Sequence, residues 1–436
     1  MVAEPLRRDL QSRSDGGSGA DSRPEPRRER DGFVQISVAG GPYDMGLQHG
    51  EQLRDEIREL LDAVHHHVLY GQPGWFGWGV RRALRTVTRI MAAQLPLRYR
   101  REMAGIARAA DVSYRDVLLL NCFDDVCANL NPIGAIFGRL ACSAFAVTGA
   151  RTVSNQLLCG RNLDYFVPSA AGDDVWAATN YMKDHVAVVA YQPEDRTAWA
   201  SVGWPGYIGG ATAMNARGIT VSALTVATLR NSPLGVPAGF LYRRIVEETD
   251  SLADAIRVFQ RSRRPQGNNV LLGSAQENTA AVVEYTAFHL AVRRPEDGWI
   301  ATANHFTHPE MRGRGARLAF LSSTERLARL EDLCGCPEDS PFDESLASAR
   351  EYWYQQLRPD EGAGAWPGDE PRAAELARFG AFLLDTATRR PDSNEYCTVW
   401  NPCTIYSTLF EPTQGRIWVR PSDRPDRRFQ PVCISE

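Results

Sequence analysis

The sequence predicts an α+β fold, and three observations carry that expectation. Before position 142 the apolar residues recur at three- and four-residue spacing, after it they fall mostly into short runs, and those runs come in groups instead of alternating singly with helices. The first 31 residues stand apart: they are charged, lack aromatics and are expected to be disordered. From Phe33 the chain turns globular. Leu47, Leu53, Ile57, Leu60, Leu61, Val64 and Val68 define one amphipathic helix over about 43–70. Further helices are expected over 80–93 and 99–110. Ser113-Tyr114-Arg115-Asp116 then has the form of a capped helix start ahead of Val117-Leu118-Leu119-Leu120.

The pattern changes at Cys142. Positions 142–147 are short and apolar, Gly149, Ser154 and Asn155 are turn formers, and 156–159 climbs back, which predicts a β-hairpin. Strands follow over 186–191, 197–202, 218–224, 269–273 and 280–285, with a helix over 240–261 between them. Residues 334–394 are rich in Pro, Gly, Asp and Glu, with helical patches at 346–357 and 373–386, and read as an excursion before strands at 396–400 and 416–419. There is no internal repeat.

With 436 residues and 43% hydrophobic content the chain can bury one large core or two smaller ones, and its net charge of -4 gives no global attraction to nucleic acid or to an anionic membrane. Lys183 is the only lysine. A Gly-Lys-Ser/Thr phosphate loop is therefore excluded, and a Schiff-base or pyridoxal enzyme would rest on Lys183 alone. The nine cysteines form no disulfide-like framework, and no segment has the apolar stretch of a signal peptide or the length of a membrane span. A cytoplasmic location is expected. Arg7-Arg8 is followed by no apolar run, which argues against twin-arginine export.

Cys142 is the candidate nucleophile. The predicted hairpin brings Arg161 and Asp164 beside it. A thiol attacks as its thiolate, an adjacent guanidinium favours that form, and a carboxylate can hold a protonated amine or orient a donor. Taken alone, Cys142 fits a buried core cysteine better, and Arg161 with Asp164 also fits a plain ion pair. His305 and His308 offer a papain-like dyad with Cys142, which leaves the Gly160-Arg161-Asn162-Leu163-Asp164 cluster unexplained. No metal site is expected: His65, His66 and His67 point in different directions on a helix, and Cys334, Cys336, Cys397 and Cys403 are irregularly spaced.

Cys142 followed by Gly160-Arg161-Asn162-Leu163-Asp164 resembles the N-terminal-nucleophile (Ntn) hydrolase superfamily, in particular the acyl-CoA:6-aminopenicillanic acid (isopenicillin N) acyltransferase-like family, and more distantly the choloylglycine hydrolases. Four further segments resemble that family in its own order. They are the stretch Gly40-Gly41-Pro42-Tyr43-Asp44-Met45-Gly46-Leu47-Gln48-His49-Gly50, then Ala213-Met214-Asn215-Ala216-Arg217-Gly218-Ile219, Thr302-Ala303-Asn304-His305-Phe306 and Ser322-Ser323-Thr324-Glu325-Arg326.

The resemblance implies a four-layer αββα sandwich. It implies a mainly helical N-terminal segment over 32–141, a catalytic chain over 142–436, and self-cleavage between Ala141 and Cys142 that leaves an α-chain/β-chain heterodimer. The α-amine freed on Cys142 would act as base for its own thiol, since an α-amine has a pKa of about 7.7–8.0 against about 10.4 for lysine. By the same resemblance Arg161 stabilises the thiolate, Asp164 holds the amine, Asn304 donates to the oxyanion, Asn215 is a second polar residue near the thiol and Arg326 closes the charge network. Ala141 departs from the glycine usual before the nucleophile and tolerates strained backbone less well. The implied enzyme is a cysteine amidohydrolase or acyltransferase without cofactor, acting on an acyl amide with an amine or acyl thioester as partner. Trp204, Tyr207 and Phe306 are candidates for an apolar acyl pocket, with core packing as the rival reading. A non-catalytic binding member of the same fold is the alternative from another class.

Overall fold

The computed structural model describes residues 27–66, 74–130, 142–166, 176–316, 320–336, 344–357, 370–387, 393, 395–424 and 426–434. In chain order, β1 (Arg28–Glu29) and β2 (Phe33–Gly40) precede five helices: α1 (Pro42–Gln52), α2 (Arg54–Val64), α3 (Gly74–Ala92), α4 (Leu97–Ala110) and α5 (Tyr114–Leu130). The hairpin β3 (Ser143–Val147) and β4 (Leu158–Asp164) follows, then α6 (Ala177–Asp184), β5 (Val186–Pro193), β6 (Trp199–Gly203), β7 (Thr212–Asn215) and β8 (Ile219–Thr225). Next come α7 (Ala238–Glu248), α8 (Leu252–Arg261), β9 (Asn268–Ser274), β10 (Thr279–Tyr285), β11 (Leu290–Arg293) and β12 (Trp299–Thr302). The chain closes with α9 (Phe320–Gly335), α10 (Glu344–Leu357), α11 (Glu370–Leu383), β13 (Thr404–Glu411), β14 (Arg416–Pro421) and β15 (Gln430–Cys433).

These elements make four layers. A nine-stranded sheet runs β1-β2-β5-β6-β7-β8-β9-β10-β11, and a six-stranded one runs β12-β3-β4-β13-β14-β15. Strand side chains alternate between faces, and here both faces are buried. Val186 and Val188 pack with Ala144, Ala146 and Ile405 between the sheets, while Ala187 and Val189 meet Met45, Ile57, Met103 and Val117 of the helices on the other side. Phe145 and Val147 face outward onto Leu330 of α9 and Leu376, Phe379 and Phe382 of α11. The α+β expectation and the α, β, β, α order both follow from these cores.

Local differences from the sequence expectation have local causes. The helix expected over 43–70 is two helices, because Leu53 leaves helical backbone (φ -122°, ψ 30°) and is wholly buried; positions 67–70 lie outside the described residues. The helix expected over 240–261 is also two, since the Ser251 hydroxyl caps α8 by accepting from the Asp254 N–H at 3.1 Å. No strand forms at 396–400, where Thr398 folds a short turn onto Glu395 and Trp400; pairing starts only after Pro402, which has no N–H to give a ladder. The tail expected over 1–31 lies outside the described residues up to 26, but its end is ordered, with Arg28 and Glu29 paired to β2. The segment 334–394 is less of an excursion than expected, because α11 supplies an outer layer; 337–343, 358–369, 388–392 and 394 lie outside the described residues.

The segment before Cys142 is built into the fold and does not sit on it as a cap. β2 pairs in parallel with β5 along its whole length. The glycines of the stretch from Gly40 to Gly50 serve close packing: a Cβ on Gly46 would lie 2.0 Å from the Glu102 carbonyl of α4, and one on Gly105 would lie 2.4 Å from the Tyr43 carbonyl of α1. Gln48 clamps β2 by bonding both the N–H and the carbonyl of Ala39 at 2.8 and 2.9 Å.

Candidate active site

Alternation along β4 sorts the Gly160-to-Asp164 cluster residue by residue. Gly160 lies opposite Phe145 on the outer face, and a Cβ there would meet the ring at 2.3 Å. Arg161 points inward opposite the small Ala144 and crosses the space between the sheets. Its Nη1 donates to the Ala211 carbonyl at 2.7 Å and to the Thr212 hydroxyl, and its Nη2 to the Ala223 carbonyl at 2.6 Å. Nη2 also lies 3.9 Å from the Cys142 sulfur. Asn162 points outward again and donates to the Leu383 and Val399 carbonyls at 2.8 and 2.9 Å, which anchors the outer layer. Leu163 returns to the core between the sheets.

Asp164 ends the strand beside the thiol. Its backbone carbonyl lies 3.5 Å from Cys142 Sγ. Its Oδ2 accepts from Asn401 Nδ2 at 2.7 Å, whereas Oδ1 is buried with no hydrogen-bond partner. Burial lifts this carboxyl to about 6, with Arg326, Thr404, Asn401 and Arg161 all acting the other way.

Arg326, on α9, closes the site from the far side. Nη1 donates to the Cys142 carbonyl and to Ser143 Oγ at 2.9 Å, Nη2 to Asn304 Oδ1 at 3.1 Å, and Nε to Ser322 Oγ at 3.1 Å. Asn304 Nδ2 donates to the Thr225 carbonyl at 2.9 Å. An amide nitrogen has two hydrogens, so one remains to be given. With its oxygen held by Arg326, that amide has a fixed orientation.

The thiol sits on an apolar cavity of about 140 Å³ between the sheets and the N-terminal helices. Trp204 and Tyr207 line it, with Leu60 and Val64 of α2, Leu120 of α5 and Met182 of α6. His49 helps hold that wall: its Nε2 accepts the Gly206 N–H at 3.0 Å. Burial, and secondarily Arg243, push this imidazole down to about 3, so it stays neutral and able to accept.

Two expectations are not met by this geometry, and one rival reading finds no support in it. Asn215 is at the other end of β7 from Thr212, about 10 Å along the strand, and its amide is spent on the Val246 and Thr249 carbonyls and the Arg217 and Ile219 N–H groups. It ties a turn to the end of α7 and is not beside Cys142. Phe306 packs with Val226, Ala291 and Met311 in a small separate core instead of lining the cavity. His305 Nδ1 pairs with Ser323 Oγ at 2.7 Å and His308 Nδ1 takes the Glu310 N–H at 3.2 Å, while the Cys142 sulfur has Arg161 and the Asp164 carbonyl as its neighbours. Ala141 lies outside the described residues. Sequence reading missed Thr212, Asn401, Asp124 and Asp125. The last two left one signal, two adjacent acids in the middle of a helix that is apolar from Val117 to Leu120. Among the described residues no group of His, Cys, Asp and Glu is placed to hold a metal, and no helix is long and apolar enough to cross a membrane.

Residues 152–358 match the family model described as acyl-coenzyme A:6-aminopenicillanic acid acyl-transferase. That stretch holds Arg161, Asp164, Asn215, Asn304 and Arg326 and begins after Cys142. The chain is homologous to the acyl-coenzyme A:6-aminopenicillanic-acid-acyltransferase 40 kDa form of Emericella nidulans, at 22% identity over 276 residues, covering 63% of this chain and 69% of that protein. It is 29% identical over 318 residues to a protein of Archaeoglobus fulgidus, covering 64% of this chain and 51% of that one; the chain thus spans about half that relative's length. Among solved structures it is similar to penicillin V acylase from Agrobacterium tumefaciens, at 13% identity and a TM-score of 0.39, covering 65% of this chain and 84% of that one. The resemblance carried by the motifs is therefore matched by the family model and by the acyltransferase.

Proposed function

We propose that the chain is a self-processing N-terminal-cysteine enzyme that cleaves or forms acyl amides. One juxtaposition carries it: the Cys142 sulfur opens on an apolar cavity with Arg161 Nη2 at 3.9 Å, next to a buried carboxylate oxygen on Asp164 that has no partner. A buried acceptor left unpaired is disfavoured unless a donor arrives. The α-amine that cleavage frees on Cys142 is such a donor.

In the first step the thiol attacks the carbonyl of Ala141, the peptide bond shifts to a thioester, and water resolves it to give chains 1–141 and 142–436. The freed amine then takes the thiol proton, and the thiolate, beside Arg161, attacks the acyl carbon of the substrate. Negative charge forms on the former carbonyl oxygen, where the remaining Asn304 Nδ2 hydrogen can meet it. As the intermediate collapses, the protonated α-amine of Cys142 returns its proton to the departing amine. Water or a second amine attacks the acyl thioester and restores Cys142. Arg326 positions Asn304 and the backbone of Cys142. The relatives named for acyl-coenzyme A and 6-aminopenicillanic acid support acyl thioesters as donors and amines as acceptors, and the apolar cavity supports an apolar acyl group.

The two products should stay together as an α-chain/β-chain heterodimer, because β2 and the Glu102–Arg243 pair bind the first segment to the second. On a denaturing gel wild-type protein should give two bands and Cys142→Ala one. Active protein in which no chain begins Cys142-Ser143-Ala144-Phe145 would remove the α-amino base and overturn the proposal.

A further inference from the structure

The cavity that holds the thiol is apolar along most of its wall but not throughout. α5 carries two adjacent acids, Asp124 and Asp125, to its lining, joined there by Gln266. Asp125 is only 3% exposed, and its Oδ2 takes the Ala238 N–H at the start of α7 at 2.9 Å. Its Oδ1 has no hydrogen-bond partner, and neither does the equally buried Oε1 of Gln266. Asp124 is open to the cavity and accepts from the Tyr165 hydroxyl. The cation in this lining, Arg161, is at the thiol and already holds two carbonyls and a hydroxyl.

We propose that these acceptors form an ammonium-binding subsite, so that the substrate carries a positively charged amino group away from the amide that is cut. The chemistry of the acceptors argues for it. Two unpartnered buried oxygens and an accessible carboxylate call for a ligand rich in N–H donors, and an alkylammonium has three. Capping α7 does not account for the arrangement, since a hydroxyl or amide would cap without burying a charge. A buried carboxylate without a counter-charge is strongly disfavoured, and a bound cation supplies that charge. Burial raises the Asp125 carboxyl well above its usual range, the Ala238 N–H acting the other way and Asp124 adding to the rise, and a bound cation is what would draw it back to the charged form. The aromatic rings of Tyr165 and Tyr242 in the same lining favour an alkylammonium further.

The subsite rests on the acyl-enzyme reading for which bond is cut, but not for what binds. A panel of hexanoyl-scale amides, in which a terminal ammonium replaces a terminal methyl on either half of the molecule, tests it. Binding is read by calorimetry on purified wild-type protein, and turnover by amine release. At least one ammonium member should bind at least tenfold more tightly than its methyl counterpart, and Asp124→Asn and Asp125→Asn should each reduce that preference at least tenfold. Among the described residues the Asp124 side chain bonds no backbone group, so its variant carries the test if loss of the α7 cap unfolds the other. Methyl members binding as well as ammonium members throughout, or a preference that survives in Asp124→Asn, would overturn the subsite. Turnover without ammonium preference would reject the subsite alone, whereas Asp124-dependent ammonium binding without any turnover would support it and reject the acyl-enzyme.

Discussion

Arg243 and Arg161 are both buried between layers, and both have carboxylates near by, yet their surroundings are finished to different degrees. Every nitrogen of the Arg243 guanidinium and every carboxylate oxygen of Glu102 and Glu247 is hydrogen-bonded, although Arg98 Nε, the Tyr191 hydroxyl and the Trp199 indole N–H beside them are not. Arg243 donates to Glu102 at 2.9 and 2.7 Å, to Glu247 at 2.7 Å and to the Ile208 carbonyl at 3.1 Å, and the other oxygen of Glu247 takes the Tyr99 hydroxyl at 2.9 Å. The rings of Tyr99, Tyr191 and Trp199 lie 4.9 to 5.1 Å from its guanidinium carbon. Around Arg161 the bonding is incomplete: its own Nε, Asp164 Oδ1 and, across the cavity, Asp125 Oδ1 have no partner. A buried ion cluster whose guanidinium and carboxylates are all matched to one another holds the molecule together. An unsaturated one retains groups that a substrate or a newly formed amine can complete.

The sharpest way to break this contrast is to exchange the expected consequences. Cys142→Ala should abolish both self-cleavage and amide turnover on the gel and amine-release assays, while Glu102→Ala should take one of its two carboxylates from Arg243, leave two of its nitrogens short of an acceptor and lower unfolding stability by about 3–5 kcal/mol in a denaturant titration. If Glu102→Ala proved as stable as wild type, the Arg243 cluster would not be the clamp between the two segments. Asn304→Ala should reduce kcat by about 10²–10³, with KM changed far less, because an oxyanion donor acts on charge present only in the transition state. A change confined to KM would make Asn304 a binding residue.

Arg161→Met sharpens the contrast from the other side. It should slow turnover at least a hundredfold, as loss of the thiolate's partner requires. It should also cost about 1–3 kcal/mol, because carbonyls of Ala211 and Ala223 lose their donor. The smallest effect concerns Asp164. Its carboxyl is raised to about 6 in the folded chain, above the unfolded value of about 3.9, so the folded state gives up stability as pH climbs from about 4 through 6. Asp164→Asn removes that penalty. It should therefore be no less stable than wild type at pH 8 in thermal melts, although inactive; a marked fall in its melting temperature there would move Asp164 into the structural class.

Much of the site was legible in the chain. Cys142, Arg161 and Asp164 could be placed together because a hairpin has only one short way to close, and period-two alternation then fixes which side chains share a face. The order of helices before Cys142 and strands after it was legible for the same reason, through apolar periodicity. The strand at 33–40 was not, because it is buried on both faces and pairs with a partner about 150 positions further on. Asn215 and Phe306 misled because a motif reports that a residue is needed, and a turn anchor or a small core needs it as much as a catalytic site does.

The sequence by itself thus determined the local elements, the thiol and the two polar residues that a single hairpin sets beside it. Tertiary structure alone decided which other groups surround them. Arg326 and Asn304, which the family resemblance names, and Asn401, Asp124 and Asp125, which it does not, arrive from separate helices, strands and loops, and what sets them around the thiol is burial and the presence or absence of a partner. Those are properties of packed layers, set by which distant faces meet, and no periodicity within one segment encodes them.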